Sequence, residues 1–522
     1  MATPNEKLAA SLKVLEHLQG GGRRVFKTKE IGRSHRERLL KHGFLQHVMK
    51  GWWMSSSPDT ASGDTTAWYA SFWQFCACYC TDRFGEEWHL SPEQSILRHA
   101  EATAIPMQVI VYAPRGTNNK VELLFGTSIY DLNHSPLPPA ADLTARDGLR
   151  LFAPAAALIK VSESFYTRYP VEAQLALASI EDASDVLVRL LEGGHSVVAR
   201  RLAGAFRRIA RPDVADEIIA TMEAAGFAMR ETDPFDPEHT LADLRGRAAP
   251  IVRRTEALWE AMRGAVIETL PPPPGLPEDR EAYLRFVDDI YQSDAYHSLS
   301  IEGYQVTPEL IERVRSGAWD PTENDVDVHD RNALAARGYW QAFQSVKGVV
   351  EKVVAGENPG TLTRSAHRDW YRELFQPFVA AGLIAPSVLA GYRNEAVYLR
   401  GSRHVPPRRE AVREAMPALF DLLVKEEEPA VRAVLGHWML GYIHPYPDGN
   451  GRIARFLMNC MLASGGYPWT VIRVEDREAY MSALDAASVD TDIRPFARFL
   501  AERVRWSMEI AAEPSGRATR EV

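Results

Sequence analysis

The sequence predicts a mainly α-helical chain, with a short β-hairpin in its C-terminal half and an α/β region at its N-terminus. Three observations predict this. Apolar residues recur at helical spacing on both sides of a polar loop, first Val431, Leu435, Trp438, Met439, Tyr442 and Ile443, then Ile453, Phe456, Leu457, Cys460 and Met461. Alternation around Asn394 and Gly401, in the stretch from Gly391 to Pro407, reads as a hairpin within a helical region. Near the N-terminus, Leu8, Leu12, Leu15 and Leu18 give a helical pattern. A glycine turn at Gly20–Gly22 follows, then a short helix near Thr28–Ile31 and a helix from Ser34, as N-cap, to His42, ending at Gly43. Phe44 to Trp53, broken at Lys50-Gly51, reads as two strands.

The polar loop runs His444-Pro-Tyr-Pro-Asp-Gly-Asn-Gly-Arg-Ile-Ala-Arg455. A helix starting near Asn450 or Gly451 aims its unpaired N–H groups and positive dipole end into the loop, a natural anion site. Gly449 and Gly451 let oxygen atoms approach the backbone. Arg452 and Arg455 lie about one turn apart and suit a shared anion. Asp448 is a hard oxygen ligand of the kind Mg²⁺ takes beside a nucleoside triphosphate. His444, at the loop mouth, suits a general base for an incoming hydroxyl.

This loop resembles the Fic signature, His-x-Phe-x-(Asp/Glu)-Gly-Asn-Gly-Arg-x-x-Arg, with Tyr446 in the usual Phe place. The resemblance covers about 280–500. It implies an all-α Fic fold and transfer of AMP from ATP to a hydroxyl side chain of a target protein, with ATP as substrate and Mg²⁺ as cofactor. By position, His444 would be the base and Asp448 the Mg²⁺ ligand. Asn450 and the backbone at Gly449 and Gly451 would cradle the α- and β-phosphates, and Arg452 and Arg455 would bind the β/γ end. Family members that act as kinases carry Lys at the position of Gly451, so glycine there favours nucleotidyl transfer. Upstream, Ser298-Leu-Ser-Ile-Glu302-Gly303 is similar to the inhibitory motif (Ser/Thr)-x-x-x-Glu-(Gly/Asn) of autoinhibited members. Glu302 would pair with Arg455 in bidentate fashion and occupy the place of the γ-phosphate. Helical spacing from Tyr283 through Tyr296 puts Glu302 at or just beyond a helix end. The hairpin at 391–407 would be the family's flap, which adds a target's backbone as a strand.

Residues 1–50 hold eleven Lys or Arg against four acids. Helix, helix, basic helix and wing resemble a winged helix–turn–helix, with Arg33, Arg36, Arg38, Lys41 and Lys50 as the DNA-facing set and phosphate contacts dominating. Leu90–Ser95, Gln108–Val111 and Phe125–Leu132 extend a resemblance to type IV abortive-infection antitoxins over about 1–230. Val197–Arg211 is a second basic helical stretch, read as a DNA surface or a solvated face.

The expected domains are 1–55 (winged helix), 56–235 (antitoxin-like), 236–280 (a linker with the proline run Pro271–Pro277), 281–505 (Fic) and 506–522 (tail). At 522 residues the chain can bury two or more cores, and its net charge of −9 does not imply bulk nucleic-acid binding. No stretch approaches a membrane span, and Met1–Lys13 lacks a signal-peptide core. Four cysteines point to a reducing cytoplasm, with Cys76, Cys78 and Cys80 as small core residues rather than metal ligands. The expected partner is a target protein bearing a Ser, Thr or Tyr hydroxyl, the chain itself included. DNA and a homodimeric second copy stand as further partners, and a membrane does not. The competing reading is a DNA-binding regulator or antitoxin whose Fic half senses nucleotide. A narrower one keeps the enzyme but changes the donor nucleotide, or removes AMP instead of adding it.

Overall fold

The computed structural model describes residues 3–58, 63–237, 239–242, 244, 248–318 and 330–512. The chain forms two compact units: 1–250 with Tyr398–Val405, and 251–397 with 406–522.

The N-terminal unit opens with the helix Pro4–Leu18, held at its start by a Thr3/Glu6 capping box. The helix Arg33–Lys41 follows, and the strands Val25–Lys27, Trp52–Ser55 and Leu45–Met49 lie side by side in that order, all antiparallel. Gly32, not Ser34, occupies the N-cap of the second helix, because the chain turns two residues earlier than the Ser-cap pattern suggests. Gly43 ends that segment at φ 76°, the left-handed conformation a helix exit favours. Leu15, Phe26, Ile31, Leu39 and Leu45 form its core. The long helix Thr66–Phe84 packs on a four-stranded sheet in the order His89–Leu90, Gln108–Ala113, Ser128–Asn133, Asn119–Glu122, whose central pair is parallel. Cys76 and Cys80 are fully buried in this core and all four cysteines are free thiols. Short helices from Pro154–Lys160 to Pro212–Ala224 build a separate apolar cluster.

Among its described residues the second unit's regular elements are all helices. It comprises Pro250–Thr269, Arg280–Ile301, Pro308–Arg315, Arg331–Val354, Pro359–Ala380, Arg409–Lys425, Pro429–Ile443, Asn450–Ala463, Arg477–Val489 and Arg494–Ala512. The stretch 236–280 therefore includes a twenty-residue helix. The proline run is packed: Gly275 N–H donates to the Gly465 carbonyl at 2.9 Å, and Tyr467 Oη donates to the Pro271 carbonyl at 2.5 Å. Most of 506–522 lies outside the described residues.

The expected hairpin at 391–407 does not form, and the segment has no strands of its own. Arg393 takes up the backbone that a hairpin would pair. Its Nε donates to the His444 carbonyl at 2.7 Å, its Nη1 to the Glu395 carbonyl at 2.9 Å, its Nη2 to the Pro407 carbonyl, and its own N–H to the Pro445 carbonyl at 2.8 Å. Further along, His404 bridges antiparallel to Ala104. Alternation in the sequence marked extended backbone here, but the partners are distant in sequence.

Candidate active site

Two helices set the loop. Pro429–Ile443 ends at His444, whose φ of 50° and ψ of 60° place a non-glycine residue in the left-handed region. Such a conformation persists where surrounding contacts fix it. Here the His444 N–H donates to Leu440 at 2.9 Å and its carbonyl accepts from Arg393. Asn450–Ala463 begins after Gly449 at φ 78°, where a Cβ would lie 2.8 Å from the Phe375 ring. Between the helices, Asn450 closes the loop with both ends of its amide: Oδ1 accepts from Tyr446 N–H and Nδ2 donates to the Tyr446 carbonyl, each at 2.9 Å. Its side chain is thereby occupied. The backbone N–H groups of the first turn have no acceptor within the helix. Tyr446 is fully buried, its ring stacked on Tyr371 at 4.2 Å and its hydroxyl donating to the His367 carbonyl at 3.4 Å. The hydroxyl added by Tyr for Phe thus has a partner.

His444 Nδ1 lies 3.3 Å from the Gly441 carbonyl. With the proton on Nδ1 donated there, Nε2 keeps its lone pair. Burial pushes the pKa down to about 4, against the Gly441 bond, so the ring is neutral at physiological pH.

Arg452 and Arg455, one turn apart, have different surroundings. The Arg452 side chain is fully buried between two rings, 5.4 Å from the centre of Tyr304 and 5.0 Å from that of Phe375. The nearest carboxylate oxygen, Asp448 Oδ1, is 3.6 Å away, and none of its three guanidinium nitrogens makes a hydrogen bond. A buried cation without hydrogen bonds is costly, and an anion held against it removes that cost. Arg455, also buried, turns toward the helix Arg280–Ile301. Its Nε donates to Ser298 Oγ at 2.9 Å, and its Nη2 donates to the Ser298 carbonyl at 3.0 Å and to Glu302 Oε1 at 2.7 Å. One carboxylate oxygen is engaged, so the expected bidentate pair is monodentate: Ser298 takes Nε and shares Nη2, and Nη1 makes no hydrogen bond. Burial opposes the Glu302 charge, but Arg455 and then Arg452 outweigh it and hold its pKa below the ordinary value. Burial likewise opposes the Arg455 charge, and Glu302 more than restores it.

Glu302 is placed by a helix ending. It is the C-cap, Gly303 follows at φ 89°, and the bonds Gly303 N–H to Ser300 and Tyr304 N–H to Leu299 complete a Schellman motif. That turn sends Tyr304 back over Arg452. Gly451 is needed for close approach: a Cβ there would collide with Glu302 Oε1 and lie 3.2 Å from Arg455 Nη1.

Asp448 is exposed, its Oδ1 accepting the Gly449 N–H at 2.6 Å. Among the described residues no cluster of three or more His, Cys, Asp or Glu could hold a metal. A lone exposed carboxylate beside an anion site still fits Mg²⁺, which takes one or two carboxylates and completes its shell with phosphate oxygens and water.

The N-terminal basic set is largely engaged within its own unit. Arg33 pairs with Glu37 at 2.7 Å. Arg36 donates to the Thr28 and Ile31 carbonyls and lies over Trp53, and Arg38 donates to Ser11 Oγ and the Lys7 carbonyl. Lys41 and Lys50 stand at the end of the helix and in the strand turn. On the helix Ser196–Arg208 and just beyond it, Arg201, Arg207, Arg208 and Arg211 bond to carbonyls or carboxylates of the same unit. This favours the solvated-face reading of Val197–Arg211.

Sequence reasoning missed Arg393, Tyr304 and Phe375. Arg393 was legible only as a strand residue, and nothing local marks the two rings as partners of Arg452.

Residues 361–462 match the model of the Fic/DOC family. That segment contains the whole loop 444–455 and stops short of Glu302 on the N-terminal side. The protein adenylyltransferase Fic of Nematostella vectensis is 32% identical over 221 residues, 42% of this chain and 48% of that protein. That of Drosophila willistoni is 28% identical over 286 residues, 53% of this chain and 52% of that one. The chain spans about half the length of these curated relatives. Among solved structures, Fic-1 residues 134–508 from C. elegans is 20% identical, covering 66% of this chain and 92% of that one at a TM-score of 0.36. Among the described residues no helix is long and apolar enough to cross a membrane.

Proposed function

We propose that the protein transfers AMP from ATP to a hydroxyl side chain of a target protein and that Glu302 restrains this activity. The observation that carries the reading is Arg452, a fully buried guanidinium without a hydrogen-bond partner. It lies at the start of a helix whose first N–H groups are open to an anion. The relatives' name, protein adenylyltransferase, supports the same reaction.

In the proposed step the acceptor hydroxyl oxygen attacks the α-phosphorus of ATP and its proton passes to His444 Nε2. The bond from the α-phosphorus to the bridging oxygen breaks, and pyrophosphate leaves with that electron pair. The helix N-terminus and Arg452 hold the triphosphate, and Arg455 joins them once Glu302 withdraws. Asp448 would hold Mg²⁺, which supplies charge neutralisation on the triphosphate when bound. While Glu302 is docked, Arg455 is engaged by a carboxylate and the β/γ end lacks one of its two arginines. The test is intact-mass measurement after incubation with ATP and Mg²⁺. Glu302→Gly protein should gain one AMP or transfer it to an acceptor, wild type should do so more slowly, and absence of any adduct in either overturns the reading.

A winged-helix DNA contact and a nucleotide-sensor role are the second reading. The N-terminal order of helix, strand, helix and antiparallel strand pair supports it. The bonds of Arg36 and Arg38 narrow the DNA-facing set to Arg33, Lys41 and Lys50. Full-length protein that shows no mobility shift on duplex DNA at low salt removes it.

A further inference from the structure

The helix Pro429–Ile443 runs straight into the base-bearing loop, and carbonyls at such an end have no donor within the helix. One buried side chain supplies donors from outside. Arg393, 2% exposed, donates from Nη2 to the Ile443 carbonyl at 3.3 Å and from Nε to the His444 carbonyl at 2.7 Å. Its own N–H donates to the Pro445 carbonyl at 2.8 Å. Three consecutive carbonyls are thus held by one residue, and the middle one belongs to the residue in the left-handed region. The same guanidinium also donates to the Glu395 and Pro407 carbonyls, so it cannot swing away without losing bonds on both sides. The residue before it grips the loop as well. The Tyr392 ring lies 5.5 Å from the Tyr446 ring, and its hydroxyl is 2.8 Å from His367 Nε2. Charge adds a second effect. Burial is the main force keeping the His444 ring neutral, and Arg393 adds to it, whereas the Gly441 bond, Glu302 and Asp448 act the other way.

We propose that Arg393 is the positioning residue of the base: it caps the helix that carries His444, fixes the backbone at 443–445, and keeps a positive charge near the imidazole. The proposal rests on the AMP-transfer reading above, in which His444 takes the acceptor's proton. A non-glycine residue leaves the left-handed region unless contacts hold it there. With the carbonyls released, residue 444 would relax and carry Nε2 away from the acceptor hydroxyl. A displacement of about 1 Å is enough to cost on the order of a hundredfold in rate. The triphosphate is held by the following helix, at its N-terminus and at Arg452 and Arg455, so the loss should fall on the chemical step and spare ATP binding. Geometry and charge can be separated. Lysine keeps the charge but not the planar fork that reaches several carbonyls at once, and methionine keeps neither.

The test uses the full-length Glu302→Gly chain as parent and adds Arg393→Lys, Arg393→Met or Tyr392→Phe. Adduct formation is followed by mass across ATP concentration and pH, and the His444 ring is titrated by NMR of labelled histidines, identified through His444→Ala. Both Arg393 variants should lose about a hundredfold in rate at saturating ATP, with half-saturating ATP moved by less than about threefold. Titration of the ring and the acid limb of the rate should move upward in Arg393→Met and stay in place in Arg393→Lys. Tyr392→Phe, which loosens the same segment without removing charge, should leave the ring titration unmoved. Saturating rates within about twofold of the parent overturn the proposal, as does an equal loss of rate and ATP affinity, which would make Arg393 a support of the whole loop. An unmoved ring titration in Arg393→Met overturns it, and so does a shift of the same size in Tyr392→Phe. Failure of both Arg393 variants to fold overturns it too, because the residue then serves the fold and not the base. A parent that forms no adduct removes the AMP-transfer reading instead, and the ring titration alone then decides whether Arg393 governs His444.

Discussion

Replacing Glu302 by Gly removes one carboxylate from between two buried guanidinium groups, and the consequences for rate and for stability run in opposite directions. The bond between Glu302 and Arg455 is charge-assisted and 2.7 Å long, with the arginine side chain 3% exposed and the carboxylate 25% exposed. A bond of this kind holds its partner by about 1.5–3 kcal/mol, or roughly 10–150-fold in the equilibrium between docked and withdrawn Glu302. Transfer should therefore rise by about that factor at subsaturating ATP. Glu302→Gln, which keeps a neutral hydrogen bond, should fall between the two. Stability moves the other way. Arg455 and Arg452 lose their neutralising charge, and breaking a buried pair from one side costs on the order of 3 kcal/mol. ATP should restore that loss, because its phosphates answer the same cations, so the ATP-induced rise in melting temperature should be larger in Glu302→Gly than in wild type. Differential scanning fluorimetry across ATP concentrations, paired with adduct formation by mass, reads both. Equal ATP-induced shifts in the two proteins, with unchanged rates, would refute the competition between Glu302 and nucleotide for Arg455.

Arg452→Met should leave the fold as stable as wild type or more stable by about 1–3 kcal/mol, since a buried cation gives way to an apolar side chain between Tyr304 and Phe375, yet it should abolish the ATP-induced thermal shift. His444→Ala should stop transfer while that shift persists. In Glu302→Gly enzyme, kcat/KM should show no loss attributable to His444 between pH 8 and 5, with an acid limb no higher than about 4, because the ring is already neutral and the Glu302 charge that favours its protonation is gone. Asp294, buried and accepting from Tyr339 Oη at 2.6 Å, has its carboxyl pushed up to about 6 by burial. A raised folded-state pKa means that the stability it contributes is present in acid and lost as pH rises from about 4 through about 6, by up to about 3 kcal/mol. Buried histidines such as His437, pushed down to about 3, slope the opposite way. The difference in denaturant stability between wild type and Asp294→Asn isolates the carboxylate: it should widen in favour of the variant from pH 4 to pH 7 and stay flat if Asp294 is not the titrating group.

The loop 444–455 could be read from the chain because its chemistry is local. A helix end, two glycines, an amide that closes the turn and a new helix N-terminus follow within twelve residues, and backbone geometry alone brings them together. The helix that delivers Glu302 was legible for the same reason, since apolar spacing and a Glu-Gly ending specify a helix and its exit. What surrounds these elements was decided by the tertiary fold. Arg452 and Arg455 are equivalent in sequence, yet one is sandwiched by Tyr304 and Phe375 while the other turns to Ser298 and Glu302, which lie 157 and 153 residues away. The stretch 391–407 carries the alternation of a strand, but alternation says only that backbone is extended. The partners, Arg393's carbonyl set and Thr103–Ile105, are fixed by which long-range surfaces bury together. The basic N-terminal helix makes the same point with charge. Sequence counts its arginines, and only packing shows that Arg36 and Arg38 are bound to carbonyls of their own unit. Local periodicity and capping determine elements, whereas the identity of a side chain's partner depends on contacts that no local pattern encodes.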